Sequence, residues 1–124
     1  MVDDEVDLVA TYERLLRRRG YRVVSTGSIR EGLLIVEREP LVLLIADLRL
    51  PDGDGLDLVR AARGTPTPTP AIVVTGFASE ATRAAALAAG ASAYLAKPFA
   101  TATFTALVDQ TLASGGDDAP RRIP

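Results

Sequence analysis

The sequence predicts an α/β domain in which a parallel sheet carries helices on both faces. Two observations point to it. Short apolar segments alternate with helix-length amphipathic segments five times along the chain, which is the order that βαβ crossovers impose. One of these segments, Leu43-Leu44-Ile45-Ala46-Asp47, is apolar without a break up to its last residue and is followed by Leu48-Arg49-Leu50-Pro51-Asp52-Gly53. A continuously apolar run bounded by turn residues is the mark of a strand buried on both faces. Asp47 would then stand at the carboxyl edge of the sheet, where open α/β folds place ligands and chemistry.

The elements follow in order. Met1-Val2 leads into the acidic run Asp3-Asp4-Glu5, and Val6, Val9, Ala10 and Leu16 recur at helical spacing as far as Arg19, where Gly20 stops the helix. Residues 21–26 are rich in Val and aromatic side chains and read as a strand. Ser28-Ile29-Arg30-Glu31 matches a capping box and opens a helix to about Arg38, closed by Pro40. Residues 41–46 form the buried strand, and Leu56 and Val59 mark a short helix from Gly55 to about Ala62. The alternating Thr-Pro stretch of residues 65–70 reads as a stiff connector. A docking segment for a proline-reading partner is the other reading. Ala71 to Thr75 is a further strand, Ser79 caps an alanine-rich helix ending near Gly90, and Ala93 to Ala96 is a last short strand before Lys97-Pro98. The final helix, about Thr101 to Leu112, gathers Phe104, Leu107, Val108, Thr111 and Leu112 on one face. Residues 1–112 are thus expected to be one domain, and 113–124 a solvated tail or linker stub.

Composition narrows the function. At 124 residues there is room for a single core, and a net charge of -2 names no nucleic-acid or membrane partner. Cysteine and histidine are both absent, so thiolate chemistry, disulfides and Ser-His or Cys-His nucleophile pairs are excluded. No apolar stretch approaches a bilayer span, and the first residues are acidic rather than basic, so the cytoplasm is the expected location.

Polar residues collect at the strand ends: Asp3 and Asp4, Asp47, Thr75 and Lys97. Carboxylates converging on one rim repel by about 4 kcal/mol per pair at 4 Å and an effective dielectric of about 20, so such a cluster calls for a cation. Few, hard oxygen ligands favour Mg²⁺, which shares its coordination with water and substrate phosphate. Lys97 and Thr75 suit the oxygens of a transferring phosphoryl group, and Asp47 suits the nucleophile that receives it. Lys97 is also the only lysine in a chain whose other basic residues are arginine, a compact point charge where a planar fork is not wanted. Each residue also has a plainer reading. The acidic run is favourable charge at a helix start, Asp47 is a turn former, Thr75-Gly76 is strand-to-loop chemistry, and Tyr94 is a core side chain.

Taken together, Asp3-Asp4, Asp47 with Pro51 and Gly55 beyond it, Thr75-Gly76, Tyr94 and Lys97-Pro98 resemble the receiver domain of two-component response regulators, over about Val2 to Leu112. That resemblance implies a flavodoxin-like, five-stranded parallel sheet of order 2-1-3-4-5, here with a truncated first strand because only Met1 and Val2 precede the acidic pair. It implies that a phosphohistidine on a sensor histidine kinase or phosphotransfer protein donates its phosphoryl group to Asp47. Asp4 would bind Mg²⁺ directly and Asp3 through water, with Asp47 and the backbone carbonyl of Arg49 as further ligands. Thr75 and Lys97 would hold the phosphoryl oxygens, and Thr75 with Tyr94 would act as the switch that alters a surface for a downstream protein partner. The domain would catalyse its own phosphorylation rather than turn over an external substrate. Arg49 and Phe77 would flank the phosphorylated residue and slow its hydrolysis. The short first strand implies lower stability, weaker Mg²⁺ positioning and a homodimer made by strand borrowing. The charge-paired dimer surface of winged-helix regulators is not expected, since the last helix carries Asp109 without arginine. Two other readings stay open. One is a receiver-like protein-binding module that never carries phosphate; the other is a small Mg²⁺-dependent phosphatase, though Arg49 stands where a haloacid-dehalogenase type would need a second aspartate.

Overall fold

The computed structural model describes residues 1–3, 5–65 and 68–116. Along them run α1 (Val6–Arg18), α2 (Ile29–Arg38), β1 (Leu44–Asp47), β2 (Arg49–Leu50), β3 (Gly53–Asp54), α3 (Leu56–Arg63), β4 (Ala71–Thr75), α4 (Glu80–Ala88), β5 (Ala93–Ala96) and α5 (Thr101–Gly116). The strands β1, β4 and β5 pair in that order and all in parallel, with Asp47 beside Val74 and Thr75 beside Ala96. β2 and β3 form a small antiparallel hairpin just after Asp47.

Beyond β1 the sheet continues through single rungs. Val2 N donates to Ile45 O at 2.7 Å and Asp47 N donates to Val2 O at 2.8 Å, while Asp3 N donates to Thr26 O at 3.0 Å and Thr26 N to Met1 O at 3.1 Å. Val2 therefore bridges Ala46 on one side and Thr26 on the other, both in parallel. The spatial order is Thr26, Val2, β1, β4, β5, which is the predicted 2-1-3-4-5 with its first strand reduced to one residue. Residues 21–26, expected as a regular strand, form one bridge, at Thr26, beside which the Met1 ammonium donates to Val24 O at 2.7 Å. Met1 to Asp3 reach only Val24 and Thr26 of that segment, and no backbone hydrogen bond from them extends to residues 21–23, which are left without a strand partner. An apolar cavity of about 70 Å³ lies beside this gap, lined by Leu16 and Val108 from one helix layer and Ile35 and Val36 from the other.

Strand alternation divides the core between two faces. Leu44, Ala46, Ala71 and Val73 pack with Ile29, Val36, Leu58, Val59 and Ala86 under α2, α3 and α4. Ile45, Ile72 and Val74 pack with Tyr12, Leu16, Phe104, Val108 and Leu112 under α1 and α5. The predicted apolar face of the last helix is thus the buried one, and Phe104 is fully enclosed, its ring 4.5 Å from that of Tyr12.

Two local expectations need correction. At α2 the Ser28 hydroxyl accepts from Glu31 N at 3.1 Å, but the Glu31 carboxylate does not return to Ser28. Instead Ser28 N donates to Thr26 Oγ1 at 3.2 Å and Thr26 Oγ1 donates to Glu31 at 2.8 Å, so the box closes through Thr26. The last helix runs on to Gly116, past Leu112, because nothing at Ala113 interrupts it. In the connector after α3, Thr69 is buried and its N–H donates to Ala62 O at 3.0 Å. Pro66, Thr67 and residues 117–124 lie outside the described residues. Among the described residues no helix is long and apolar enough to cross a membrane.

Candidate functional site

Asp47 closes β1, and the burial of that strand on both faces leaves its side chain only 8% exposed. Its backbone is held by Val2 on one side and by β4 on the other. The carboxylate is divided between two donors: Oδ1 accepts from Arg49 N at 3.1 Å, and Oδ2 accepts from Lys97 Nζ at 2.9 Å. The chain then turns through the β2–β3 hairpin and comes back over Asp47 so closely that a Cβ on Gly55 would lie 1.8 Å from the Asp47 carbonyl oxygen. Only glycine fits there.

Lys97 follows β5, with its N–H donating to Thr75 O at 2.7 Å and its peptide bond to Pro98 in the cis form. The ammonium reaches three carboxylates: Asp47 at 2.9 Å, Asp3 Oδ2 at 2.8 Å and Glu5 at 2.7 Å. Asp3 is fully enclosed, whereas the Glu5 side chain is 58% exposed, so the Glu5 contact contributes least. Asp3 Oδ1 accepts from Glu5 N at 2.9 Å. Asp3 Oδ2, although in ionic contact with Lys97, lies off the direction of any hydrogen-bond donor among the described residues.

The electrostatics follow from burial and charge count. Burial raises the Asp3 pKa above the usual carboxylate value, against the lowering effect of Lys97 and the Glu5 N–H. For Lys97 burial works toward a lower pKa, but contact with Asp3, Glu5 and Asp47 outweighs it and the pKa is raised. Three carboxylates share one ammonium, so the cluster keeps surplus negative charge.

Around this centre stand the other predicted residues. Thr75 is wholly buried at the end of β4, and its hydroxyl accepts from Phe77 N at 3.0 Å, while no described residue takes its proton. The Arg49 guanidinium lies 4.1 Å from the ring centroid of Phe77, a residue that is exposed on the surface. Tyr94, on β5, is half-buried with its hydroxyl 2.6 Å from Thr82 Oγ1. The structure therefore brings Asp3, Asp47 and Lys97 together and sets Thr75 at the neighbouring strand end. Tyr94 stands on β5 against the start of α4. Asp4, the predicted direct Mg²⁺ ligand, lies outside the described residues.

Residues 1–109 match the family model for the response regulator receiver domain. The chain belongs to that family. Among curated proteins, the receiver is 39% identical over 98 residues to the acid tolerance regulatory protein ActR of Rhizobium meliloti, a match covering 79% of this chain and 50% of that protein. It is also 35% identical over 98 residues to the photosynthetic apparatus regulatory protein RegA of Cereibacter sphaeroides, covering 79% of this chain and 53% of that protein. The chain thus spans about half the length of these curated relatives. Among solved structures it superposes with a TM-score of 0.87 and 30% identity on a CheY-like receiver domain protein from Methanospirillum hungatei, covering 95% of this chain and 94% of that one. A response regulator from Burkholderia pseudomallei, with a phosphorylated aspartic acid, calcium ion and citrate, matches at a TM-score of 0.78 and 30% identity, covering 96% of this chain and 72% of that one.

Sequence reasoning missed two residues of this receiver. Glu5 sits two positions after Asp3, and its negative charge read as helix-start electrostatics. Thr82 stood in an alanine-rich helix and drew no attention, though Ser79 followed three residues later by a hydroxyl-bearing residue was the signal of a capping box.

Proposed function

We propose that this receiver accepts a phosphoryl group on Asp47 from a phosphohistidine of a sensor histidine kinase or phosphotransfer protein, and that the phosphorylated form alters a surface read by a downstream protein. The observation that carries the reading is the rim cluster, in which Asp47 and enclosed Asp3 share the ammonium of Lys97. A carboxylate oxygen of Asp47 attacks phosphorus, a P–O bond forms, and the P–N bond to imidazole breaks with the electron pair leaving on nitrogen. Lys97 already touches the nucleophile, so moving its ammonium onto a phosphoryl oxygen needs only a local shift. Thr75 has a hydroxyl proton to give to a second oxygen.

A divalent cation fits the cluster. The surplus negative charge and the Asp3 oxygen without a hydrogen-bond donor are what Mg²⁺ would satisfy. Asp3 and Asp47 would hold it, with Glu5 the third carboxylate in reach, and the Arg49 carbonyl and Asp4 as the ligands the family pattern implies. When bound, Mg²⁺ would neutralise charge shared by these carboxylates and the phosphoryl oxygens.

The phosphorylated aspartic acid of the Burkholderia pseudomallei response regulator supports this reading. Arg49 and Phe77, stacked on each other, are the residues that the family pattern sets beside the phosphorylated aspartate, where their bulk would slow its hydrolysis. Asp109 is engaged within the chain by Arg19 at the α1 end, and a homodimer of this receiver would form by strand borrowing at the short first strand. The reaction would take place in the cytoplasm. Incubation with acetyl phosphate and Mg²⁺, followed by intact-mass measurement, tests the proposal. One phosphoryl group is expected on wild type and none on Asp47→Asn or in the presence of EDTA. Wild type without an adduct would leave a receiver-like binding module, and turnover of external phosphoesters would make the domain a phosphatase.

A further inference from the structure

Tyr94 is tied to the start of α4 by one hydroxyl. Thr82 Oγ1 has a single proton and two lone pairs, and four groups surround it closely: Ser79 O at 3.0 Å, Ser79 N at 2.9 Å, Ser79 Oγ at 3.1 Å and Tyr94 Oη at 2.6 Å. Donating to the Ser79 carbonyl and accepting from the Ser79 N–H uses the proton and one lone pair. The second lone pair is left to the Ser79 hydroxyl or the Tyr94 phenol, and the 2.6 Å contact, the shortest of the set, favours Tyr94. Ser79 N also lies 3.4 Å from Tyr94 Oη. The group that closes the α4 capping box therefore also fixes the Tyr94 ring.

The same segment begins at the phosphoryl site. Phe77 N donates to Thr75 Oγ1 at 3.0 Å, and Phe77 O lies 3.5 Å from Thr82 Oγ1. The hydroxyl of Thr75 and that of Tyr94 are thus joined through a loop of a few residues, with Thr82 at its far end.

We propose that Thr82 is a positioning residue that latches Tyr94 beside the α4 start in the unphosphorylated receiver, and that drawing the Thr75 hydroxyl toward a phosphoryl oxygen releases the latch through the Phe77–Ser79 loop. This rests on Asp47 being the phosphoryl acceptor. The latch makes turning of the Tyr94 ring conditional on opening the cap of α4, so the ring and the helix start change together. One hydrogen bond of ordinary net strength biases such an equilibrium by about two- to tenfold.

Beryllofluoride, a phosphoryl mimic, provides the test. Its half-saturating concentration in Mg²⁺ is read from backbone amide spectra of wild type, Thr82→Val, Thr82→Ser, Tyr94→Phe and the Thr82→Val/Tyr94→Phe double variant. Tyr94→Phe leaves the capping box whole, so it separates the latch from a merely structural role of Thr82. The latch predicts that Thr82→Val and Tyr94→Phe each tighten binding by about two- to tenfold, that the double variant gains no more than the larger single change, and that Thr82→Ser behaves as wild type. Additive effects, a change in Thr82→Val alone, or no change in either would overturn it. If wild type ignores beryllofluoride, the Asp47 reading falls, and the Tyr94 ring signal in tyrosine-labelled protein decides the latch by itself. A ring signal displaced or broadened in Thr82→Val and restored in Thr82→Ser supports it, and an unchanged signal in Thr82→Val refutes it.

Discussion

A methyl group added at Gly55 would meet the Asp47 carbonyl at 1.8 Å, and backbone cannot rotate away as a flexible side chain could. Gly55→Ala should therefore cost about 3 kcal/mol, the upper end for forced overpacking, and should displace Asp47 from its two donors. A urea melt measures the first, and loss of phosphoryl uptake the second. Lys97 gives a prediction of another kind. Removing it leaves Asp3 and Asp47 enclosed without their counter-charge, and breaking a buried pair from one side costs about 3 kcal/mol. A divalent cation can replace that charge, so the destabilisation of Lys97→Ala should shrink on adding Mg²⁺, while that of Gly55→Ala should not. Asp47 and Lys97 were legible in the sequence because each puts a charge at the end of an apolar strand, and those ends fall on one rim of a parallel sheet. Glu5 was not, because a carboxylate at a helix start has an ordinary role and only the fold reveals that Lys97 reaches it.

The elements are coupled by caps that cross between them. Asp52, at the tip of the β2–β3 hairpin, accepts from Ile29 N at 2.9 Å and Arg30 N at 3.1 Å and so caps α2 from the loop that follows Asp47. These two N–H groups hold the Asp52 carboxyl below its usual value. A carboxylate lowered in the folded state contributes stability above its unfolded pKa and loses it as pH falls through the folded one. Asp52→Ala should be less stable than wild type at neutral pH, and the gap should close in acid below the Asp52 titration. A gap that stays constant from neutral pH into that range would show that the charge plays no part. Helix positions themselves were readable, since apolar spacing, Gly20 and Ser28 marked them. The Asp52 cap was not, because residues 29 and 52 come together only when the hairpin folds over α2, and no local pattern encodes that approach. The Thr26 relay in the Ser28 cap escaped for the same reason.

At the scale of the molecule, a sheet of order 2-1-3-4-5 is complete at β1, β4 and β5 but reduced to a rung at Val2 and another at Thr26. The N–H groups of Arg22, Val23 and Val24 donate to no backbone carbonyl among the described residues. Hydrogen exchange should therefore be slowest at Ile72, Val73 and Val74 and fast at residues 22–24, a contrast set by local opening; equal protection across the two segments would mean that residues 21–26 form a regular strand in solution. The alternation of strands and helices made the architecture legible, whereas the irregularity of residues 21–26 was hidden, because strand propensity does not show whether a partner is there to pair with. The proposed function of the whole domain requires an oxygen of Asp47 to form the bond to phosphorus. The measurement that tests this most directly is borohydride trapping after exposure to acetyl phosphate and Mg²⁺, with peptide mass analysis of position 47. An aspartyl phosphate is reduced to homoserine, so homoserine at position 47 is the expected result, and an unreduced Asp47 in protein that carries phosphate elsewhere, or carries none, would contradict it.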